Sequence, residues 1–229
     1  MFACAGGSGS GGHLTVFAAA SLTAPFSDAQ PSLPAGLSVT YNFAGSQQLA
    51  QLLEQSAPAD VVATADMVTM QHLVDEGIVE QPVVFARNRL EILVAAGNPD
   101  HVESLADLAR PDVTVVLCDE AVPAGRYASQ VLRRADVEVT PKSLEPDVKS
   151  AVARVLAGEA DATIVYATDV RDAGTRAAGV EIGPDDNIVA EYPIAIVKAT
   201  TQHAAANRFI EAVRSGAVRD ALRAHGFEV

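Results

Sequence analysis

The sequence predicts an α/β protein of two lobes, and three observations lead to this prediction. Short apolar runs alternate with segments of helical periodicity along the chain, a pattern typical of sheets flanked by helices. The pattern restarts after Gln81 and Pro82, where a second series of strands and helices begins. The chain of 229 residues is 49% hydrophobic, which is enough to bury the core of one large domain or two modest ones.

The first series contains three predicted strands, each followed by a helix. The strand "HLTVFAA" precedes a helix at residues 22–29, and "LSVTYNFA" precedes a helix at residues 47–55 that carries three leucines at helical spacing. The third strand is "ADVVATA". Its helix is expected to end near Gly77, because glycine favours the left-handed position that follows many helices.

The second series begins with the strand "RLEILVAAGNP". A helix near "SLADLA", the strand "VTVVLC", the helices "RYASQVLRRA" and "DVKSAVARVLAG", and the strand "DATIVYAT" follow. The apolar segment "EYPIAIVKAT" then precedes one long helix at residues 204–225. We expect the segments at 89–94 and 194–198 to be paired strands that cross between the lobes, so that the C-terminal helices complete the first lobe.

These crossings define the predicted domains. Residues 1–12 form a flexible tether, residues 13–87 and 194–229 form the first lobe, and residues 88–193 form the second. Each lobe is expected to contain a mainly parallel sheet flanked by helices, with the ligand cleft between the lobes. Ligands of open α/β sheets bind beyond the carboxyl ends of the strands, so the strand-to-helix turns should line this cleft.

Charge and motif content restrict the classes of function. The chain has 29 acidic and 16 basic residues and no cluster of five or more basic residues. We therefore expect no nucleic-acid partner, because duplex binding depends on Lys and Arg at the phosphates. The five histidines form no H-x-x-x-H pair, and no G-x-S-x-G motif occurs, so we expect neither metal-ion ligands nor an enzyme. A small hydrolytic enzyme stays open as an alternative, because a catalytic triad assembles in space.

The N-terminal segment "MFACAGGSGSGG" places a cysteine after a small residue and before a Gly/Ser tether. This order resembles the lipidation site of a bacterial lipoprotein, although the usual leucine is absent three positions before the cysteine. We therefore expect an extracytoplasmic protein anchored to the membrane through Cys4. Gly7, Gly9 and Gly12 match G-x-G-x-x-G, but no strand precedes them, so we interpret them as linker. Cys118 in "VTVVLCDE" is expected to be a buried hydrophobic residue.

Four strand-to-helix turns are candidates for a binding site: "AAASLT", "FAGSQQ", "EAVPAGRY" and "LEPDVKSA". Each enters a helix through small or neutral residues, and a helix N-terminus offers free N–H donors and a partial positive charge. Together the turns could bind an anion. Taken singly, Ser21 and Ser46 are explained as helix N-caps, and Tyr166 as a core aromatic residue. Val148 is explained by core packing, and Lys149 as a solvated helix residue.

The order and spacing of these segments resemble the molybdate-binding proteins of ABC transporters, the ModA family. The segments "VFAAASLT", "FAGSQQLA", "DEAVPAGRYA", "PDVKSAV" and "ATIVYATD" carry the resemblance, which runs from about Leu14 to the end of the chain. It implies a class II periplasmic-binding-protein fold whose lobes close on a tetrahedral oxyanion for delivery to a membrane permease. By position, the family's ligand contacts correspond to Ser21, Ser46, Ala124, Val148 and Tyr166.

The resemblance also implies the chemistry of each contact. The serines would offer hydroxyl and backbone N–H groups, Ala124 and Val148 their backbone N–H groups, and Tyr166 its phenol. The ligand would be molybdate or tungstate, with no cofactor and no direct metal-ion ligand, and the protein would be a monomer. Gly45 stands where family members often carry a second serine, which removes one possible hydroxyl donor.

The physical chemistry of the ligand fits such donors. Molybdate is a dianion without a proton, so it suits a site that has donors and no carboxylate acceptor, whereas monoprotonated phosphate requires an acceptor. A receptor of the same fold for sulfate, ferric iron or an organic carboxylate stays open as an alternative. A carboxylate receptor would place an arginine at one of the turns, and Arg126 is the nearest candidate.

Overall fold

The computed structural model describes residues 12–229, and this part of the chain forms nine strands and eight α-helices. The strands are β1 (Gly12–Ala19), β2 (Leu37–Ala44), β3 (Val61–Ala63), β4 (Val83–Ala95), β5 (Leu117–Cys118), β6 (Leu144–Glu145), β7 (Ala162–Tyr166), β8 (Ala177–Glu181) and β9 (Val189–Ile196). The α-helices are α1 (Thr23–Ala29), α2 (Ser46–Glu54), α3 (Met67–Asp75), α4 (Pro123–Arg134), α5 (Val148–Leu156), α6 (Ala167–Ala173), α7 (His203–Ser215) and α8 (Ala217–Ala224).

The main sheet has the strand order β2-β1-β3-β9-β4-β7, and β8 also pairs with β4. The strand β1 is parallel to β2 and β3, whereas β9 is antiparallel to β3 and β4. The strand β4 is antiparallel to β7 and β8, and β5 and β6 form a separate parallel pair. This differs from the mainly parallel sheets that we expected. The reason is that β4 enters the second half against the direction of β7 and β8 and pairs with both.

The strand β4 links the two halves of the sheet. Its residues 83–89 pair with β9, and its residues 90–95 pair with β7 and β8. The strands that contain the two segments predicted to cross between the lobes do pair, but largely through other residues: 83–89 of β4 pair with 189–194 of β9, so only Arg89 of the first segment and Ile194 of the second take part. The strand β4 begins six residues earlier than expected, directly after Pro82. The exact lobe boundaries stay a prediction.

Helices cover both faces of the first half of the sheet. Adjacent residues of β1 point to opposite faces, so that Val16 packs in one hydrophobic cluster and Phe17 in another. On the first face, the rings of Phe26 in α1 and Phe209 in α7 meet edge to face with centroids 6.0 Å apart. On the opposite face, Leu49 of α2 packs with Phe17 and other buried residues. This arrangement confirms the predicted α/β class.

Three predicted elements differ in detail. The long helix expected at residues 204–225 is two helices, because the extended backbone of Gly216 (φ −122°, ψ −153°) ends α7 and begins α8. The predicted strand "VTVVLC" contributes only the two residues of β5, and "SLADLA" forms a 3-10 helix, Leu105–Ala109, with Ser104 at its N-cap. The helix before Gly77 ends as expected, since Gly77 has φ +71°.

The expected tether, including Cys4, lies outside the described residues except for Gly12. Gly12 is the first residue of β1 and pairs with Leu37. Cys118 is buried in β5, as predicted, and its burial raises the pKa of the thiol. Within residues 12–229, no helix has both the length and the apolar character that a membrane span requires.

Gly125 allows α4 to begin close to the preceding strand. An ideal Cβ at this position would lie 2.0 Å from the carbonyl oxygen of Asp119. We expect Gly125→Ala to lower the free energy of unfolding in urea by about 1–3 kcal/mol or more, because the backbone must shift to admit the methyl group. Gly183→Ala is the control, since a Cβ there meets nothing within 4 Å, and its effect should stay below about 0.5 kcal/mol. Equal effects of the two variants would contradict this explanation.

Candidate functional site

A small cavity lies where the strand-to-helix turns of both halves meet. Its volume is about 20 Å³. A single buried water requires roughly 10–15 Å³, so the cavity is small. All five residues that the resemblance implies as ligand contacts line this cavity: Ser21, Ser46, Ala124, Val148 and Tyr166.

Two buried serines form the side of the cavity contributed by the first half. Ser21 lies in a 3-10 turn directly after β1, and its Oγ is 3.1 Å from Oη of Tyr192. Ser46 is the first residue of α2, and its Oγ accepts a hydrogen bond from the N–H of Ala65 at 3.1 Å. Because this bond uses an oxygen lone pair of Ser46, the hydroxyl proton remains available for a ligand.

Neither serine caps a helix with its side chain, so the N-cap interpretation of Ser21 and Ser46 is wrong. Ser21 lies inside the 3-10 turn that precedes α1, whose N-cap is Leu22, and Ser46 is the first residue of α2, whose N-cap is Gly45. A residue inside the first turn has a backbone N–H without an acceptor in the helix. The position of Ser46 therefore supplies two donors, the N–H and the hydroxyl.

The second half contributes backbone donors from two helices. Ala124 is the second residue of α4, after Pro123, and Val148 is the first residue of α5. Their N–H groups also lie in first turns, where the helix provides no acceptor. Asp147 lines the cavity as well, but its carboxylate accepts hydrogen bonds from the N–H and the hydroxyl of Ser150, at 2.9 and 3.0 Å. The carboxylate thus caps α5.

Tyr166 carries the clearest sign of a missing partner. It ends β7, it is 1% exposed, and among the described residues its Oη has no hydrogen-bond partner. Burial raises the pKa of this phenol well above its ordinary value, so the hydroxyl keeps its proton and acts as a donor. A buried hydroxyl without a partner costs free energy, and an anion in the cavity would remove that cost.

The charged groups next to the cavity are paired with each other. We expected Lys149 to be a solvated helix residue, and this prediction is wrong. Its Nζ lies 2.8 Å from Oδ1 of Asp169 and 3.6 Å from Oδ2 of Asp172. Burial acts to lower the pKa of Lys149, but the two carboxylates outweigh it and the pKa is raised. Lys149 therefore stays protonated and neutralises the buried carboxylate of Asp169 and the half-buried one of Asp172.

The guanidinium of Arg126 also forms an ion pair with a carboxylate. Its Nε and Nη2 both donate to Oδ2 of Asp66, Nε at 2.9 Å, and Nη2 also donates to Oγ1 of Thr69 at 2.8 Å. A guanidinium that is already bonded to a carboxylate is not free for a second, bidentate contact with a ligand. The arginine that could have indicated a carboxylate receptor thus has another partner.

Sequence reasoning missed Tyr192 and Asp66, which both contact predicted site regions. Tyr192 lies in β9, far along the chain from Ser21, and a tyrosine within an apolar strand carries no local signal of a polar contact. Asp66 precedes α3 as its N-cap, so its local pattern indicates capping alone. In the described part of the chain, no group of three His, Cys, Asp or Glu side chains could hold a metal ion.

Comparisons with known proteins identify the family of the chain. Residues 14–228 match the family described as bacterial extracellular solute-binding protein, a class of binding proteins and not of enzymes. The molybdate-binding protein ModA of Mycobacterium tuberculosis is 37% identical over 218 residues, which cover 93% of this chain and 84% of that protein.

Two solved structures of binding proteins share the fold of this chain. The periplasmic molybdate-binding protein of Azotobacter vinelandii has a TM-score of 0.82 at 18% identity and covers 94% of this chain and 99% of its own. The sulfate-binding protein SubI of M. tuberculosis has a TM-score of 0.79 at 20% identity and covers 94% and 86%. These structures confirm the predicted two-lobed periplasmic-binding-protein fold. The family match and the similarity to ModA of M. tuberculosis establish that the chain belongs to the ModA family of bacterial extracellular solute-binding proteins.

Proposed function

We propose that this protein captures molybdate outside the cytoplasmic membrane and delivers it to the permease of an ABC transporter. The observation that carries the proposal is the partnerless, buried hydroxyl of Tyr166 beside the first turns of α2, α4 and α5. The cavity is small, and its free polar groups are donors. The similarity to ModA of M. tuberculosis supports the same ligand.

The donors explain how a neutral site can hold a dianion. A hydrogen bond to a charged group contributes about 1.5–3 kcal/mol, so several convergent donors bind tightly without a countercharge. Monoprotonated phosphate would place a proton against groups that are themselves donors. Among residues 12–229, Asp147 is the one carboxylate at the cavity wall, and Ser150 already occupies both of its oxygens.

Binding is coupled to closure of the two lobes. Ser21 and Ser46 belong to the first half, whereas Ala124, Val148 and Tyr166 belong to the second, so a ligand that contacts both sets stabilises the closed form. The permease would recognise that form. Tungstate, which has the same charge and shape, is expected to bind as well. A monomeric receptor anchored at Cys4 completes the proposal, supported by the lipoprotein-like order of the N-terminal segment.

Sulfate is the ligand that most needs to be distinguished, because the sulfate-binding protein SubI shares the fold. Sulfate is also a tetrahedral dianion at neutral pH, so donor chemistry alone does not separate it from the larger molybdate. Discrimination has to come from the size of the cavity. An organic carboxylate is a weaker candidate, since Arg126 is bonded to Asp66.

A thermal-shift panel tests the ligand class. At a concentration of about 100 times Kd, a ligand stabilises a protein by about 2.7 kcal/mol, which corresponds to roughly 5–10 °C for a chain of this size. We expect molybdate and tungstate to raise Tm by this amount, and sulfate and phosphate at the same concentration to change it little. Equal shifts with all four anions, or no shift with molybdate, would contradict the proposal.

Tyr166→Phe separates binding from stability. Removing a buried hydroxyl that lacks a partner should leave Tm of the ligand-free protein unchanged or raise it. The same change should weaken molybdate binding roughly 10- to 100-fold, measured by isothermal titration calorimetry, because one donor to a charged ligand is lost.

Tyr41→Phe is the matched control for this experiment. The hydroxyl of Tyr41 is also buried without a partner among the described residues, but Tyr41 lies in β2 and does not line the cavity. Its Kd for molybdate should equal that of the wild type. If the two variants bind equally well, Tyr166 is not a ligand contact.

A further inference from the structure

The ion pair between Arg126 and Asp66 joins the two halves of the protein beside the cavity. Asp66 lies between β3 and α3 in the first half, and Arg126 lies in the first turn of α4, which packs on β5 and β7 in the second half. We propose that this pair forms when the lobes close and thereby sets the affinity for the ligand. Both residues would then be positioning residues for capture, an inference that rests on the proposed function.

Asp66 depends on Arg126 for its charge balance. The carboxylate is 2% exposed, its Oδ1 accepts the N–H of Thr69 at 2.9 Å, and its Oδ2 accepts both bonds from Arg126. Without the guanidinium, closure would bury an unpaired negative charge, and such burial is strongly unfavourable. In an open form, water can solvate the same carboxylate. The free energy of the pair therefore differs between open and closed forms.

Each partner is held in place by its own half. Asp66 caps α3 through Thr69, and the side chain of Thr69 receives a further bond from Arg126. The other end of the guanidinium, Nη1, donates to the backbone carbonyl of Ala121, in the turn that leads into α4. Because both side chains are oriented by local bonds, little rotamer freedom is lost when they meet.

The pair is also next to the ligand donors on both sides. Asp66 follows Ala65, whose N–H bonds to Oγ of Ser46. Arg126 follows Ala124 by two residues in the first turn of α4. When the pair forms, it therefore fixes the position of the α2 donors relative to the α4 donor. The ligand bridges these donors and so favours the closed geometry. The ion pair favours the same geometry, so the bound ligand stabilises the ion pair and the ion pair raises the affinity for the ligand.

Calorimetric titration of molybdate into four full-length proteins tests the inference: the wild type, Arg126→Gln, the double variant Asp66→Asn with Arg126→Gln, and Arg110→Gln. Arg126→Gln should raise Kd roughly 10- to 100-fold, because closure then buries an unpaired carboxylate. The double variant should recover most of this loss, since Asn keeps the acceptor for Thr69 and carries no charge. Rescue by a second substitution distinguishes a closing ion pair from simple damage to the fold.

Arg110→Gln is the matched control. Arg110 is 33% exposed at its side chain, against 23% for Arg126, and it pairs with Asp112 within the second half. Its loss should leave Kd unchanged, whatever it does to Tm. If Arg126→Gln binds molybdate as tightly as the wild type, or if the double variant is weaker than the single one, the inference is overturned. Failure of the wild type to bind molybdate would instead overturn the proposed function.

Discussion

The convergence of helix first turns on one small cavity is the constraint on which the rest of this structure depends. A first-turn N–H has no acceptor within its helix, and burial removes the water that would otherwise satisfy it. In this protein the first turns of α2, α4 and α5, at Ser46, Ala124 and Val148, line the same cavity as the hydroxyl of Tyr166. These donors therefore lack acceptors within their own helices, and an anion in the cavity would supply them.

The charged side chains near the cavity are bonded to protein groups and not directed at the ligand position. The carboxylate of Asp147 caps α5, Lys149 pairs with Asp169, and Arg126 pairs with Asp66. These pairs hold the turns in place and leave the cavity lined by neutral donors. A neutral site also allows release, because no fixed countercharge holds the anion when the lobes separate.

The turns that line the candidate site were predictable because their pattern is local, whereas the individual residues came from the resemblance to the ModA family. Each turn follows a strand and enters a helix, and in an α/β sheet such turns meet at one edge. The contacts of Tyr192 and Asp66 were not predictable, since each joins residues that are far apart in the sequence and carries no local pattern. The prediction that the two serines are N-caps was wrong for a related reason. The sequence pattern does not distinguish a serine that precedes a helix from a serine in its first turn. At the level of the fold, Gly216 interrupts a continuous helical periodicity, and the antiparallel pairing of β4 follows from long-range strand order.

A crystal structure of the protein with molybdate, with anomalous scattering recorded at the molybdenum absorption edge, tests the neutral-donor site most directly. We predict one anomalous peak inside the cavity, at the molybdenum atom of a molybdate ion. The oxygens of this ion should lie within hydrogen-bonding distance of Ser21, Ser46, Ala124, Val148 and Tyr166. The ion pair between Arg126 and Asp66 should be intact beside it. A peak outside the cavity, or an anion held directly by the guanidinium of Arg126, would contradict a site built from neutral donors.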